Sequence, residues 1–337
     1  MPAQTIEAAI YGAVSVDGFR KLGEVSPDYE AGGKADLEHS DPASIRDLFK
    51  EAESLHPGGN APNAGERIAR EANVTDARLV TVIGAEGDPV SDKAREFLAQ
   101  SAMSDHTVTH EGHRVSVGRI ERRFIHEDGQ RYIDDRMVYG LGRGKMNGIL
   151  SDEAITGPAK GADLIVAASL KEIDLAERIF TLTPEDALTS WNPGSSEFKS
   201  HPEELLRIMQ KVRRPDLLAL NRDELAQLFG AEADTPTMDL LAEARGLRIA
   251  RHLLCTDGMA PVKFDTPDGL FTQNVERIDR TRVVSTLGAG DGAHGVAAHG
   301  IASGMHPQAI LQKLVKTTAQ IVQFPGAHED LYHQKAA

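Results

Sequence analysis

Short and almost wholly apolar runs alternate along the chain with longer segments of helical periodicity. The runs Leu79–Ile83, Leu164–Ala168 and Leu217–Leu220 contain almost no polar residues, which is typical of strands covered on both faces of a sheet. The segments Pro62–Glu71 and Glu203–Lys211 have the spacing of helices. This rhythm predicts an α/β fold with a central parallel sheet, and we expect residues 1–337 to form a single domain.

One region breaks the rhythm. Polar and apolar residues alternate between Arg114 and Val138, around the turn-forming segment Glu127–Gln130. Such alternation predicts a hairpin with one face towards water or a ligand. We expect a lid outside the main sheet, made from residues 17–36 and 107–140. The polar segment 328–337 is expected to fray.

Charge and composition exclude some partners. The formal net charge is −14, whereas nucleic-acid binders need a basic surface. No run approaches the roughly 18 apolar residues of a membrane-spanning helix, and the single Cys255 cannot form an intramolecular disulfide. We therefore expect neither nucleic acid nor a membrane as a partner, and a cytoplasmic location. A phosphorylated ligand would have to be held by a local site.

The segment Gly288-Ala289-Gly290-Asp291 is a glycine-rich turn with one carboxylate, and it runs into a helix of small residues. Glycines allow a tight turn, and the first amides of a helix favour a phosphate. A carboxylate there would repel the phosphate unless it acted on a neighbouring group, such as an attacking hydroxyl. We interpret Asp291 as the base of a kinase, although a turn capped by aspartate has the same composition.

A second glycine pair, Gly58-Gly59, leads into a helix that carries Asn60, Pro62 and Asn63 near its start. One interpretation is that Asn60 is the N-cap and Pro62 lies in the first turn. The other is that Asn63 and the glycine backbone bind a polyol. The two interpretations are compatible.

Two further polar sites follow predicted strands. Asn221 and Glu224 come after Leu217–Leu220, at the sheet edge where open α/β folds bind ligands. They form either a capping box or part of a magnesium or phosphate site. Asp17 stands where the apolar run Ile6–Val16 ends, a position usually occupied by a turn residue.

Taken together, these elements resemble the ribokinase-like (PfkB-type) carbohydrate kinase family over nearly the whole chain. The resemblance lies in Asp17, the Gly-Gly-x-x-x-Asn pattern ending at Asn63, the segment Val82–Pro89, the Asn-x-x-Glu at Asn221 and Glu224, and the Gly-Ala-Gly-Asp ending at Asp291. The last of these is the most specific. The resemblance implies a Rossmann-like, mostly parallel central sheet flanked by helices, with a small β lid over the sugar.

The resemblance also implies an activity, namely ATP-dependent phosphorylation of a hydroxymethyl or other alcohol group of a small sugar. Asp291 would be the general base, and the turn that starts at Gly288 would supply an anion hole through the backbone amides of Ala289, Gly290 and Asp291. ATP would be bound near Asn221, Glu224, Thr256 and Gly258, with Glu224 helping to hold Mg²⁺ through water. The substrate would be bound by Asp17, Gly58, Gly59 and Asn63.

The sequence departs from the family pattern at four positions. They are Asn60 in place of a common lysine, Pro261 in place of a frequent glycine, His294 in place of an aromatic residue, and Ser285 in place of an acidic residue that helps to hold a monovalent cation in some members. These departures leave K⁺ activation and the identity of the acceptor open.

Alternative functions follow from the same residues. One is a nucleoside kinase of the adenosine type, which the low aromatic content of 5% disfavours. Another is a non-catalytic sugar or nucleoside sensor, which would need neither a base nor a metal ligand. If two of the arginines in the hairpin face the ligand, a sugar phosphate becomes a candidate; these are Arg122, Arg123, Arg131 and Arg136. A homodimer through the lid strands is a further expectation.

Two other patterns are interpreted as structural and not as ligand-binding. Gly140–Lys145 is followed by Met146 and not by the Ser or Thr of a phosphate-binding loop, so we interpret it as a flexible connection. His294 and His299 lie five apart and do not share a helix face well, so we interpret them as surface or packing residues and not as metal ligands.

Overall fold

Strands and helices alternate along the computed structural model, which describes residues 5–21, 34–37, 52, 54–127, 130–140, 146–170, 172–194, 198 and 200–324. The strands are β1 (Ile6–Tyr11), β2 (Ser15–Lys21), β3 (Lys34–Leu37), β4 (Ser54–Gly58), β5 (Val74–Val80), β6 (Val82–Ile83), β7 (Ser104–Asp105), β8 (Val108–Thr109), β9 (Ser116–Glu127), β10 (Gln130–Gly140), β11 (Leu164–Ala168), β12 (Leu188–Asn192), β13 (Leu217–Asn221), β14 (His252–Thr256), β15 (Val262–Thr266) and β16 (Gly269–Gln273). The α-helices are α1 (Asn60–Ala69), α2 (Pro89–Leu98), α3 (Asp152–Ala159), α4 (Ile173–Leu182), α5 (Pro202–Arg207), α6 (Arg222–Phe229), α7 (Thr237–Leu247), α8 (Ala289–Ala302) and α9 (Pro307–Ile321).

A nine-stranded sheet in the order β16-β15-β14-β13-β12-β11-β1-β5-β7 forms the centre of the fold. Neighbouring strands from β14 to β7 are parallel, whereas β15 and β16 join the edge antiparallel. Side chains of β1 are buried on both faces, with Tyr11 in one core and Ile10 in the other. The apolar runs are thus explained by burial on both sides. The predicted α/β fold with a mostly parallel central sheet is confirmed.

Helices cover both faces of this sheet. One core contains Ile155 of α3, Leu175 of α4 and Leu225 of α6. The other contains Ile68 of α1 and Val296 of α8. Because α1 and α8 share one face, the segments that carry the two glycine-rich motifs lie on the same side of the sheet.

A second sheet has five strands in the order β3-β10-β9-β2-β4. Strands β9 and β10 form the antiparallel hairpin that the alternation predicts, with Glu127 paired to Gln130. Strand β2 lies parallel to β9 and antiparallel to β4, and β3 is parallel to β10. The hairpin prediction is confirmed, whereas the covering role of this sheet stays a prediction. Residues 22–33 of the expected lid lie outside the described part of the chain.

The first apolar run is divided between the two sheets. Strand β1 ends at Tyr11, and the chain turns before β2 begins at Ser15. A β-carbon on Gly12 would lie 2.2 Å from the carbonyl oxygen of Ala168, so only glycine lets the chain pass this close to β11. The prediction that Asp17 ends the first strand is therefore wrong, because Asp17 lies inside β2.

The start of α1 also differs from the expectation. Gly59 is the N-cap, with a left-handed φ of 101°, and Asn60 is already the first helical residue. A left-handed φ favours glycine, which has no β-carbon to clash with the backbone. The prediction of Asn60 as N-cap is wrong, although Pro62 does lie in the first turn.

Three element boundaries are also corrected. The strand predicted at Leu79–Ile83 begins earlier, at Val74, and is interrupted at Thr81. The segment predicted as a loop from Trp191 starts inside β12, which ends at Asn192. The helix α5 continues as a π-helical turn at Ile208–Val212.

Two sequence predictions fall outside the described residues, namely the 328–337 tail and the Gly140–Lys145 connection after its first residue. Within the described residues, no helix combines the length and the apolar character needed to cross a bilayer.

Candidate active site

The sheet has a switch point between β1 and β11. From β1 the chain continues to β5 on one side, and it returns later to β11 on the other side. Ligands of open α/β folds bind outside the carboxyl ends of the strands at such a point. Ser169, which follows β11, has a left-handed φ of 45° that is costly for a residue other than glycine. Its amide donates to the Asn192 carbonyl oxygen at 2.7 Å.

The glycine-rich motif forms the N-terminus of α8. Gly288 is the N-cap with a φ of 73°, and its carbonyl oxygen accepts the Gly292 amide at 2.8 Å. Gly290 is exposed and Asp291 is half-buried. The first-turn amides of a helix have no intrahelical acceptor, and they point towards the positive end of its dipole. The start of α8 therefore has the geometry of an anion site with a carboxylate beside it.

Helices α1 and α8 approach each other closely. A β-carbon on Gly295 would lie 2.5 Å from the Ala64 carbonyl oxygen and 3.1 Å from the Ala64 Cα atom. This contact holds the starts of the two helices together, and Asn63 Nδ2 donates to Asp291 Oδ2 at 2.8 Å. The two residues are 228 positions apart in the sequence. The prediction that Asn63 binds the substrate stays a prediction, and the structure adds a contact between Asn63 and the predicted base.

Asp17 lies in a narrow space lined by small residues. A β-carbon on Gly58 would be 2.1 Å from Asp17 Oδ2, and one on Gly118 would be 2.3 Å from Asp17 Oδ1. Ser15 Oγ donates to Asp17 Oδ1 at 3.0 Å. Sequence reasoning missed Ser15 and Gly118. Ser15 could have been found because it lies two residues before Asp17 and therefore on the same face of β2. Gly118 could have been found because a glycine inside a strand often marks a close approach of another group to the backbone.

The predicted substrate residues and the predicted base form one continuous series of contacts. Gly58, which packs against Asp17, precedes Gly59. The Gly59 carbonyl oxygen accepts a hydrogen bond from the Asn63 backbone amide at 3.1 Å. Asn63 in turn donates to Asp291. The structure thus brings together residues from β2, β4, α1 and α8.

The residues predicted to bind the nucleotide also lie at the carboxyl ends of the strands, further along the sheet. Asn221 and Thr256 are register partners at the carboxyl ends of β13 and β14, and Gly258 follows with a left-handed φ of 50°. Helix α8 packs against both of these strands. Because α8 also carries Asp291, one helix connects the nucleotide end to the predicted base.

Asn221 and Glu224 form the predicted capping box. The Asn221 side chain accepts the Glu224 amide at 2.8 Å, and Glu224 Oε2 accepts the Asn221 amide at 2.9 Å. Glu224 is buried. Since this oxygen is already engaged, a magnesium ion would be reached more readily through water than directly.

His294 is a packing residue, as expected, and lies in the interior. Its side chain is fully buried, and its Nε2 atom is 2.6 Å from Ser190 Oγ. Burial lowers the pKa of His294 to about 4. Among the described residues, no group of histidine, cysteine and carboxylate side chains could hold a metal ion.

The buried His294 makes stability depend on pH. Because an unfolded histidine has a pKa near 6.5, the unfolded chain binds more protons than the folded one between about pH 4 and 6.5. Stability is therefore complete above this window and is lost as the pH falls. We expect His294→Gln to reduce the loss of unfolding free energy between pH 7 and 5 by about 2 kcal/mol. Urea unfolding of both proteins at the two pH values measures this, and equal losses would contradict it.

Ser285 does not offer a carboxylate at the cation position of the family. It is buried, and its Oγ accepts the Leu287 amide at 3.2 Å. The side chain thus stabilises the turn before α8.

Comparisons with known proteins agree with this geometry. Residues 195–334 match the model of the pfkB family carbohydrate kinases. The chain resembles a probable sugar kinase from Rhizobium etli, with 16% identity, a TM-score of 0.75 and coverage of 99% of both chains. It also resembles the adenosine kinase from Sinorhizobium meliloti, with 17% identity, a TM-score of 0.71 and coverage of 99% of this chain and 100% of the other.

A third similar structure is the ribokinase from Thermotoga maritima, with 17% identity, a TM-score of 0.66 and coverage of 96% of this chain and 95% of the other. At these identities the likeness concerns the fold. No curated protein matches the chain in sequence.

Proposed function

We propose that this chain, of which residues 195–334 match the pfkB family of carbohydrate kinases, is a kinase of that family and transfers the γ-phosphoryl group of ATP to a hydroxymethyl group of a small sugar. The family consists of phosphotransferases that act on sugar hydroxyl groups. The hydrogen bond between Asn63 and Asp291 at the start of α8 is the observation that carries the proposal. It holds a carboxylate beside an anion site, as a phosphoryl transfer to a hydroxyl requires.

The proposed step divides its work between backbone and side chain. The acceptor oxygen forms a bond to the γ-phosphorus, the bond from that phosphorus to the bridging oxygen of ADP breaks, and the hydroxyl proton passes to Asp291. Backbone amides of Ala289, Gly290 and Asp291 are proposed to stabilise the charge on the transferring group. Of these, the Ala289 amide donates to the Thr286 carbonyl oxygen at 3.4 Å in the structure and would have to exchange that acceptor for the phosphoryl group. The Asn63 amide group orients the Asp291 carboxylate through the bond at 2.8 Å.

The residues present fit ATP with magnesium. Mg²⁺ usually keeps several waters and is held by one or two carboxylates together with substrate phosphates. The carboxylate of Glu224 is engaged with the Asn221 amide, so we propose that Glu224 would help to hold Mg²⁺ through water. Asn221, Thr256 and Gly258 lie at the same strand ends and are proposed to contact the nucleotide.

Asp17 is proposed to bind hydroxyl groups of the acceptor. Ser15, Gly58 and Gly118 pack closely around its carboxylate and fix its position. An aspartate can accept hydrogen bonds from two neighbouring hydroxyls. A sugar and the ribose of a nucleoside both offer such a pair, and the low aromatic content of 5% is the reason why we place the sugar ahead of a nucleoside. The nucleoside remains the second candidate because an adenosine kinase is among the similar structures.

Asp17→Asn is expected to raise the KM for the acceptor at least tenfold and to leave the KM for ATP within twofold. A hydrogen bond to a charged group contributes about 1.5–3 kcal/mol, and the amide replaces one charged acceptor by a donor. Steady-state kinetics with each substrate varied in turn measure the two constants. A similar rise for both would contradict a role confined to the acceptor.

An assay of ATP consumption tests the function itself. The panel contains pentoses, hexoses, sugar phosphates, sugar acids and nucleosides, and turnover with a sugar is the expected result. Turnover with nucleosides alone would replace the sugar by the second candidate. Ligand binding without any turnover would contradict the enzyme and support a sensor.

Three further proposals accompany the kinase activity. We propose a cytoplasmic location and a homodimer formed through the strands of the five-stranded sheet. With Ser285 engaged in its turn, we propose that activity does not require K⁺. Assays in choline and potassium chloride at equal ionic strength compare the cation dependence, and light scattering gives the oligomeric state.

A further inference from the structure

A cleft lies at the amino ends of the central strands, on the side of the main sheet opposite to the candidate active site. It has a volume of about 520 Å³, which is within the range of small-molecule sites. Arg214 precedes β13 and Arg251 precedes β14, so the cleft is at the amino ends of strands whose carboxyl ends carry Asn221 and Thr256. Each of these strands has five residues, so its amino and carboxyl ends are roughly 15 Å apart.

The lining of this cleft is basic although the chain is acidic. Its charged residues are Arg214, Arg245, Arg248, Arg251 and Asp265. The formal net charge of the whole chain is −14, so the positive charge of this lining contrasts with the negative charge of the chain as a whole. Gathering like charges is unfavourable unless an anion compensates them.

The carboxylates at the cleft leave part of this charge uncompensated. Arg245 forms a two-point ion pair with Asp265, in which Nε lies 3.0 Å from Oδ2. Arg251 is 4.0 Å from Asp216, and Asp268 lies in the turn between lining residues 267 and 269.

Two guanidinium groups are without such a contact. Within the described part of the chain, Arg214 and Arg248 make neither a hydrogen bond nor an ion pair through their side chains. A guanidinium group is a fork of donors that matches phosphate and carboxylate oxygens.

The backbone at Arg248 gives an independent indication. Arg248 caps the C-terminus of α7 with a left-handed φ of 53°. Glycine is the usual residue at such a position, and other residues adopt it at a cost. The residue that bears this strain is also one of the residues that line the cleft.

We propose that this cleft binds a small multivalent oxyanion, with Arg214 and Arg248 as its principal ligands. The oxyanion carries phosphate or carboxylate groups, which share the planar or tetrahedral oxygen geometry that arginine recognises. The ion-paired Arg245 forms part of the wall. The site is separate from the one at the start of α8 and does not depend on the proposed kinase activity.

The test uses the full chain with pyrophosphate and with citrate as probes, at constant ionic strength. We expect calorimetric binding of at least one probe, together with slower hydrogen exchange in residues 244–251. In Arg214→Ala/Arg248→Gly, affinity is expected to fall at least tenfold and the slower exchange to disappear. Binding of pyrophosphate alone identifies a phosphate ligand, and binding of citrate alone identifies a carboxylate ligand.

Two controls separate this effect from folding and from general charge. Arg248→Gly suits the left-handed backbone, so its melting temperature is expected to equal or exceed that of the parent. Lys160→Ala/Lys316→Ala removes the same charge from exposed positions outside the cleft and is expected to leave affinity unchanged. Equal affinity in the double arginine variant, no binding of either probe, or exchange protection confined to other residues would overturn the proposal.

Discussion

Asp291→Asn is expected to lower kcat by about 10²–10⁴-fold, the usual contribution of a general base. The amide has nearly the same shape as the carboxylate and leaves an oxygen to accept the Asn63 hydrogen bond of 2.8 Å. It cannot, however, accept a proton from the acceptor hydroxyl. ATP affinity is expected to stay within a few-fold, because the amides at the start of α8 remain. Steady-state kinetics and equilibrium binding of ATP measure the two effects separately.

A matched control is available in another helix. Asp239 is an exposed aspartate in the first turn of α7, so Asp239→Asn makes the same chemical change at a similar position. We expect its kcat to equal that of the parent. If Asp291→Asn also retained a near-normal kcat, Asp291 would not be the base, and the anion site at α8 would need another explanation.

Local patterns in the sequence predicted local structure well. The Asn221 and Glu224 capping box joins residues three apart, and both of its hydrogen bonds are present. The apolar run Leu164–Ala168 is a fully buried strand. Such features depend on propensity and periodicity, which a single sequence displays directly.

Contacts between distant residues were not predictable in the same way. The place of Asp17 depends on the pairing of β2 with β4 and β9, and this pairing is set by strands far apart in the sequence. The hydrogen bond from Asn63 to Asp291 exists because two helices meet at Gly295. The motifs pointed to candidate residues, whereas the packing decides which of them touch. For the same reason the basic cleft had no signature, since Arg214 and Arg248 are brought together only by the fold.

Gly295→Ala is expected to destabilise the fold by about 1–3 kcal/mol, the usual cost of overpacking. The added β-carbon would meet backbone atoms of Ala64, at 2.5 and 3.1 Å, and backbone cannot rotate away as a flexible side chain can. Helices α1 and α8 would therefore have to separate, which would stretch the contact between Asn63 and Asp291. Because a misplacement of about 1 Å costs on the order of 10²-fold in rate, kcat is expected to fall as well. Urea unfolding and steady-state kinetics measure both.

The sign of the stability change distinguishes packing from helix propensity. Gly246 lies in α7, and a β-carbon there would meet nothing within 4 Å. Gly246→Ala is therefore expected to stabilise the protein by about 0.5–1 kcal/mol, because alanine is the better helix former. If Gly295→Ala stabilised the protein to a similar extent, the helices would not be held at contact distance there. If it destabilised the protein but left kcat unchanged, the contact would support the fold without positioning Asp291.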